Sequence, residues 1–317
     1  MKIIAVDSYG ETPSIREVAN PGALEGDELL VHVHAAGVNP VDVFIAKGYL
    51  NERVQARFPL TLGLDFAGVI ENTGLKVSNF KIGDRVYGKL VEDVLHQGSY
   101  GEYITVSEDG CISKIPGNLN FVEAAAFPTP AMTALVSIDA AGIKKGSAIL
   151  INGATGGVGS FAVQMASRLG AYVIATAHGD GIDYLTGRGA SEVINYKEVK
   201  LEDEVKREFP DGIDALLDLA SDRDRIEELS RLVRKGGAVV STRHAADVDE
   251  MTSRELHPTN ISVPSTGELL SRVSKGIASG DLTPPLIKTY SIVQVNEALN
   301  VVSAGHVHGK LVLQLLP

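Results

Sequence analysis

The sequence predicts an α/β fold in two parts, a compact β domain followed by a doubly wound parallel-sheet domain. Two observations carry this. Up to about Pro116 the chain breaks into short strand-like runs separated by Gly, Pro and Asp, and from about Asn118 strand and helix patterns alternate. The 317 residues exceed what one compact core usually spans, and an apolar share of 44% is ample for two.

MKIIAV reads as an opening strand, too short in apolar residues for a signal peptide, so a cytoplasmic protein is expected. ELLVHVHAAGV (Glu28–Val38), FAGVIEN, DRVYGKL and GEYITV follow as strands of the β domain. The most apolar window, from Ala124, approaches membrane-spanning length, but Pro128, Pro130 and several polar residues interrupt it, so it reads as a buried loop and helix. In the second part, strands are expected at Ala148–Asn152, Tyr172–Ala177, Glu192–Asn195, Ala215–Leu219, Ala238–Thr242 and Ile261–Val263. Amphipathic helices VKLEDEVKREF and RDRIEELSRLVRK lie between them, the latter stopped by Gly236 and Gly237. A tail of a helix, the segment LTPPLIKTYSI, a second helix around Val295 to Ala304 and a closing KLVLQLL strand is expected to return to the first domain and leave a cofactor cleft between the two. The domains are accordingly 1–117, 118–265 and 266–317.

The run Ala148–Ala177 supplies the chemistry. It orders an apolar strand, the loop GATGGVG (Gly153 to Gly159), a helix and a second strand. Glycines let a backbone approach phosphates without a Cβ, and the following helix offers its free N–H groups and positive dipole end. The loop residues Thr155, Gly156, Gly157 and Val158 are therefore expected to hold a dinucleotide pyrophosphate, although Ala154 occupies the first glycine position of the usual fingerprint.

Charge excludes another class of partner. Lys and Arg number 29 against 40 Asp and Glu, a net charge of −11, and no basic run exceeds two residues, so nucleic acid is not expected. A single cysteine, Cys111, rules out an internal disulfide and suits a reducing compartment.

Read together, the blocks AAGVNPVDVFIAKG, PLTLGLDFAGVI, FKIGDRVYG, GSYGEYITV, AAAFPTPAMTAL, the glycine loop, GASEVINY and GKLVL resemble the zinc-free quinone oxidoreductase-like branch of the medium-chain dehydrogenase/reductase superfamily. The resemblance spans nearly the whole chain. It implies a GroES-like β domain joined to a Rossmann dinucleotide-binding domain, commonly in a homodimer built through the edge of the latter's sheet. Zinc-using relatives carry Cys, His and Cys where this chain has Asn39, Leu64 and Thr129, so no metal is expected. The pairs His32/His34 and His306/His308 lack a ligand constellation around them.

Without a Lewis acid the acceptor must be electrophilic already, which points to a quinone or an α,β-unsaturated carbonyl. The resemblance places Asn39 and Asp42 near nicotinamide and substrate, with Tyr49 or Tyr100 offering a hydroxyl; Asn39-Pro40 also reads as a turn and Asp42 as a helix cap. Phe44 stands where the family often has tyrosine, leaving solvent or a ribose hydroxyl to deliver the proton. The second strand of the glycine-loop unit ends in Ala177-His178-Gly179 with no carboxylate, although Asp180 lies just beyond, and this end favours NADP(H) over NAD(H). By position, His178 and Tyr196 approach the 2′-phosphate, Thr133 the pyrophosphate and nicotinamide, and Ser221 and Ser241 the cofactor at strand ends; Arg188 lies one helix away. The lysine that relatives carry after the second strand has no counterpart between His178 and Tyr184. Two alternatives are an NADPH-binding protein with little turnover, serving as redox sensor, structural protein or partner-binding module, and an enoyl-thioester reductase. The segment Leu90–Tyr100 is a candidate pocket wall or lid.

Overall fold

The computed structural model describes residues 1–91, 94–117, 119–305 and 307–315. Glu92 and Asp93 of the candidate pocket wall, Asn118 at the expected domain boundary and His306 of the second histidine pair lie outside them. The chain divides into two units, Met1–Thr129 with Ser265–Pro317, and Pro130–Pro264.

The first unit opens with β1 (Lys2–Val6), β2 (Ser14–Glu17), β3 (Glu28–Val38), α1 (Pro40–Ala46), β4 (Gln55–Ala56), β5 (Leu60–Thr61) and β6 (Asp65–Thr73). It continues with β7 (Arg85–Lys89), β8 (Val94–Leu95), β9 (Tyr103–Ser107), β10 (Ile112–Lys114) and α2 (Phe121–Ala125). The long strand β3 alternates half-buried and buried residues from Glu28 to His34, then is buried continuously from Ala35 to Val38, where both faces of the sheet are covered. Leu29, Val31 and Val33 pack with Phe66, Ile70 and Ile104 on one side; Ala36 and Val38 join Ile4, Leu60, Leu62 and Tyr100 on the other. The unit extends past residue 117 to Thr129 because α2 packs on β3 and β6.

In the second unit α3 (Pro128–Ala141), which starts just before it, leads into β11 (Ala148–Asn152), α4 (Gly157–Arg168), β12 (Tyr172–Ala177), α5 (Gly181–Thr186) and β13 (Glu192–Asn195). Then follow α6 (Leu201–Glu208), β14 (Ile213–Asp218), α7 (Arg223–Ser230), β15 (Val233–Ser241), α8 (Val248–Ser253) and β16 (His257–Asn260). The strands form one parallel sheet in the order β13-β12-β11-β14-β15-β16, the doubly wound arrangement in which ligands meet the carboxyl ends of the strands. Its central strands are apolar and buried on both faces, as parallel sheets require.

Two expectations are corrected here. The helix read as RDRIEELSRLVRK ends at Ser230, because Val233 pairs with Ile213 and starts β15. Gly236, at φ +75°, and Gly237 therefore mark a bulge inside that strand rather than the stop of a helix. The last strand is His257–Asn260 and not Ile261–Val263; Pro258 is tolerated because β16 is an edge and needs no donor on its outer side.

The chain then rejoins the first unit through α9 (Gly267–Ala278), β17 (Ile287–Ser291), α10 (Val295–Ala304) and β18 (Lys310–Gln314). β18 lies between β3, to which it is antiparallel, and β17, to which it is parallel.

Candidate functional site

In the second unit β11 runs directly into the glycine loop. Gly153 adopts φ +81°, and its N–H donates to Thr176 Oγ1 at 3.1 Å; that hydroxyl in turn donates to Asn152 Oδ1 at 3.0 Å. Asn152 Nδ2 donates to Asp218 Oδ2 (2.9 Å) and Ser221 Oγ (3.1 Å). The ends of three adjacent strands are thus tied under the loop. Ser221 also donates to Asp218 Oδ2 at 2.6 Å, so its hydroxyl braces the loop rather than standing open to a ligand.

A Cβ on Gly159 would lie 2.5 Å from Ala154 Cα, so only glycine lets α4 start this close to the loop. Gly156 caps α4 in an extended conformation and has no side chain to accept from its first N–H groups. Those donors and the positive helix end, reached through Thr155, Gly157 and Val158, fit a pyrophosphate. Thr133 sits half-buried on α3, its main-chain oxygen accepting from Ser137 Oγ at 2.7 Å.

Because Ala177 pairs with Asn195, the next residues, His178 and Tyr196, emerge side by side at the carboxyl end of the sheet. Their rings meet edge to face at 5.5 Å, and Tyr196 is 42% exposed. The Lys197 ammonium lies 5.7 Å from the Tyr196 ring, a cation that sequence reading, searching only between His178 and Tyr184, missed. Tyr196 also lines a cavity of about 440 Å³ whose charged lining is mixed, with Lys200 and Lys206 beside Glu202 and Glu228. Arg188 is turned over the Tyr184 ring at 4.9 Å. Ser241 is fully buried; its hydroxyl accepts from the N–H groups of Arg243 and Ala245 and shapes the turn after β15.

The first unit holds a buried polar centre. Asn39 caps α1 and donates its N–H to Asp42 Oδ2 at 2.7 Å, and the Tyr100 hydroxyl donates to the same oxygen at 2.8 Å. Asp42 and Tyr100 are both 0% exposed. Burial pushes the Asp42 carboxyl up to about 7 and the Tyr100 phenol well above its ordinary range. Tyr100 therefore serves as a partner of Asp42 and presents no hydroxyl outward. Tyr49, by contrast, is 68% exposed, its ring 6.0 Å from that of Phe44.

Asn39 Nδ2 donates to Asp65 Oδ2 at 2.9 Å, and Thr129 donates to Asp65 Oδ1 through both N–H (3.1 Å) and hydroxyl (2.6 Å). Lys310 closes the centre: its ammonium donates to Val38 O at 2.9 Å and to Asn39 Oδ1, and lies 3.6 Å from Asp65 Oδ2. Asp65 and Lys310 escaped sequence reading, since an acid and a lysine inside apolar runs give no local signal. Asn39 and Thr129 thus meet around Asp65, while Leu64, half-buried, packs against the apolar core. Among the described residues no group of three or more His, Cys, Asp and Glu gathers to hold a metal ion. His32 stacks on Tyr103 and contacts Glu71 at 3.0 Å, and His34 stacks on Phe121.

Comparison with known proteins matches residues 25–117 to the alcohol dehydrogenase GroES-like domain and residues 157–272 to the zinc-binding dehydrogenase family. The chain is 30% identical to a quinone oxidoreductase of Sus scrofa, over 99% of this chain and 98% of the relative. It is 30% identical to 2-methylene-furan-3-one reductase of Solanum lycopersicum, over 100% of this chain and 80% of the relative. Among solved structures, a quinone oxidoreductase from Coxiella burnetii superposes with a TM-score of 0.86 at 27% identity, covering 100% of this chain and 99% of that one.

Proposed function

Since the chain belongs to the quinone oxidoreductase branch of the medium-chain dehydrogenase/reductase superfamily, we propose that it is an NADPH-dependent, zinc-independent reductase of quinones or α,β-unsaturated carbonyls. The observation that carries the reading is the engagement of Asp65, whose two oxygens take up Asn39, Thr129 and Lys310. An amide, a hydroxyl and an ammonium surround the carboxylate, a donor set with no affinity for Zn²⁺.

The N–H groups opening α4 bind the pyrophosphate, and the Asn152, Thr176, Asp218 and Ser221 network holds the loop in shape for it. His178, Tyr196 and Lys197 recognise the adenosine 2′-phosphate at a strand end that carries no repelling carboxylate. When bound, the reduced nicotinamide supplies a hydride to the electrophilic carbon of the acceptor. The acceptor's π pair shifts to its oxygen, and Asn39 donates a hydrogen bond to that oxygen as negative charge develops. Asp42 sets the start of α1 and hence the place of Asn39 without touching the acceptor. Solvent returns the proton, with Tyr49 at an exposed position to assist. The molecule is expected to work as a homodimer through the open edge of β16, in the cytoplasm. No helix of the described residues is long and apolar enough to cross a membrane.

The test is NADPH oxidation by the purified protein against a panel of quinones, alkenals and enones, alongside binding of NADPH and NADH. Turnover with several members is expected. Removing the Tyr196 hydroxyl and the His178 imidazole together is expected to weaken NADPH at least about tenfold more than NADH. Failure on the whole panel despite tight NADPH binding would replace the reductase with a cofactor-binding role.

A further inference from the structure

Lys310 is a charged residue in an apolar setting. It opens β18 at 4% exposure, and Leu311, Val312 and Leu313 after it are buried hydrophobics. Burying an ammonium is costly, and a packed hydrophobic residue of similar volume generally serves stability as well or better. Here three oxygens surround it: Val38 O, Asn39 Oδ1 and Asp65 Oδ2. Burial pulls the Lys310 pKa down, while Asp65 and Asp42 oppose that pull.

The consequence falls on Asn39. Its amide is held at both ends, Oδ1 against the ammonium and one Nδ2 hydrogen on Asp65. An ammonium on the oxygen of a primary amide draws electron density from the nitrogen and makes its N–H groups stronger donors. Asn39 Nδ2 has a second hydrogen, which the ammonium strengthens as a donor against the opposing influence of the Asp65 carboxylate on the first.

We propose that Lys310 is a positioning residue for the reduction, whose buried ammonium orients and polarises the Asn39 amide and so supplies the acceptor's developing oxyanion with positive field. Lys310 forms no bond with substrate. The inference rests on the reductase reading above, in which Asn39 meets the acceptor oxygen.

The test compares wild type with Lys310→Met and with the double variant Asp65→Asn/Lys310→Met, which also neutralises the carboxylate 3.6 Å from the lysine should the single variant fail to fold. Each is assayed with a series of aryl enones graded in electrophilicity, and NADPH affinity is measured separately. The expected result is a loss of kcat of about ten- to a hundredfold with NADPH affinity within about twofold, growing steadily toward the least electrophilic acceptors. A purely structural lysine would lower all acceptors equally; an equal loss, or none, in whichever variant folds overturns the proposal. Wild-type protein inactive across the series would overturn the reductase reading itself, and this inference with it.

Discussion

At the scale of single residues, the loop glycines were legible in the sequence because their constraint is local. Gly159 touches Ala154, five residues away, and the pattern can be read without knowing the fold. A methyl group there must displace loop backbone rather than a mobile side chain. Gly159→Ala is therefore expected to lower dinucleotide affinity by about tenfold or more. Calorimetric titration with NADPH, with a melting curve as control, checks it; unchanged affinity would remove the loop from the cofactor site. Lys310 is the opposite case. GKLVL reads as a plain strand, and only its antiparallel pairing with β3 brings its ammonium to Asn39, 271 residues away in sequence. Asn39 itself had two readings, turn and site residue; the structure makes it the cap of α1 and also the link between Asp65 and Lys310.

At the scale of elements, α1 is held by a carboxylate that stays buried. Asp42 has an ordinary value of 3.8 when exposed and about 7 in the fold. Between those values the folded protein binds more protons than the unfolded chain, so this group makes stability fall as pH rises through the window. Asp42→Asn is expected to flatten that part of the stability profile. Urea unfolding at several pH values from 4 upward measures it, and a variant with the wild-type slope would show that Asp42 does not titrate in this range. Strand positions in the second unit were legible wherever apolar β-branched runs met a glycine. The exceptions have a physical cause: Gly236 and Gly237 look like a helix stop, and only the pairing of Val233 with Ile213 reveals a bulged strand. Likewise β16 was misplaced because an edge strand accepts Pro258, which sequence patterns treat as a breaker.

At the scale of the whole molecule, the second unit is continuous in sequence while the first is assembled from two separated segments. The return of the tail was visible as a change of rhythm, but its register, Leu313 opposite Ala36, depends on packing that no local pattern encodes. A fragment 130–264 is expected to melt cooperatively alone. A fragment 1–129 is expected to stay unfolded until residues 265–317 are added, because without β18 the buried strand β3 has an open edge. Circular dichroism of the fragments, alone and mixed, checks both; cooperative melting of 1–129 alone would contradict it. The place of β18 also imposes a timetable on synthesis. The residues made first must wait on the ribosome, with an apolar edge uncovered, until the last strand of the first unit has emerged, while the nucleotide-binding unit can finish folding in the interval. During that waiting period the uncovered edge of β3 is a template on which another chain could pair.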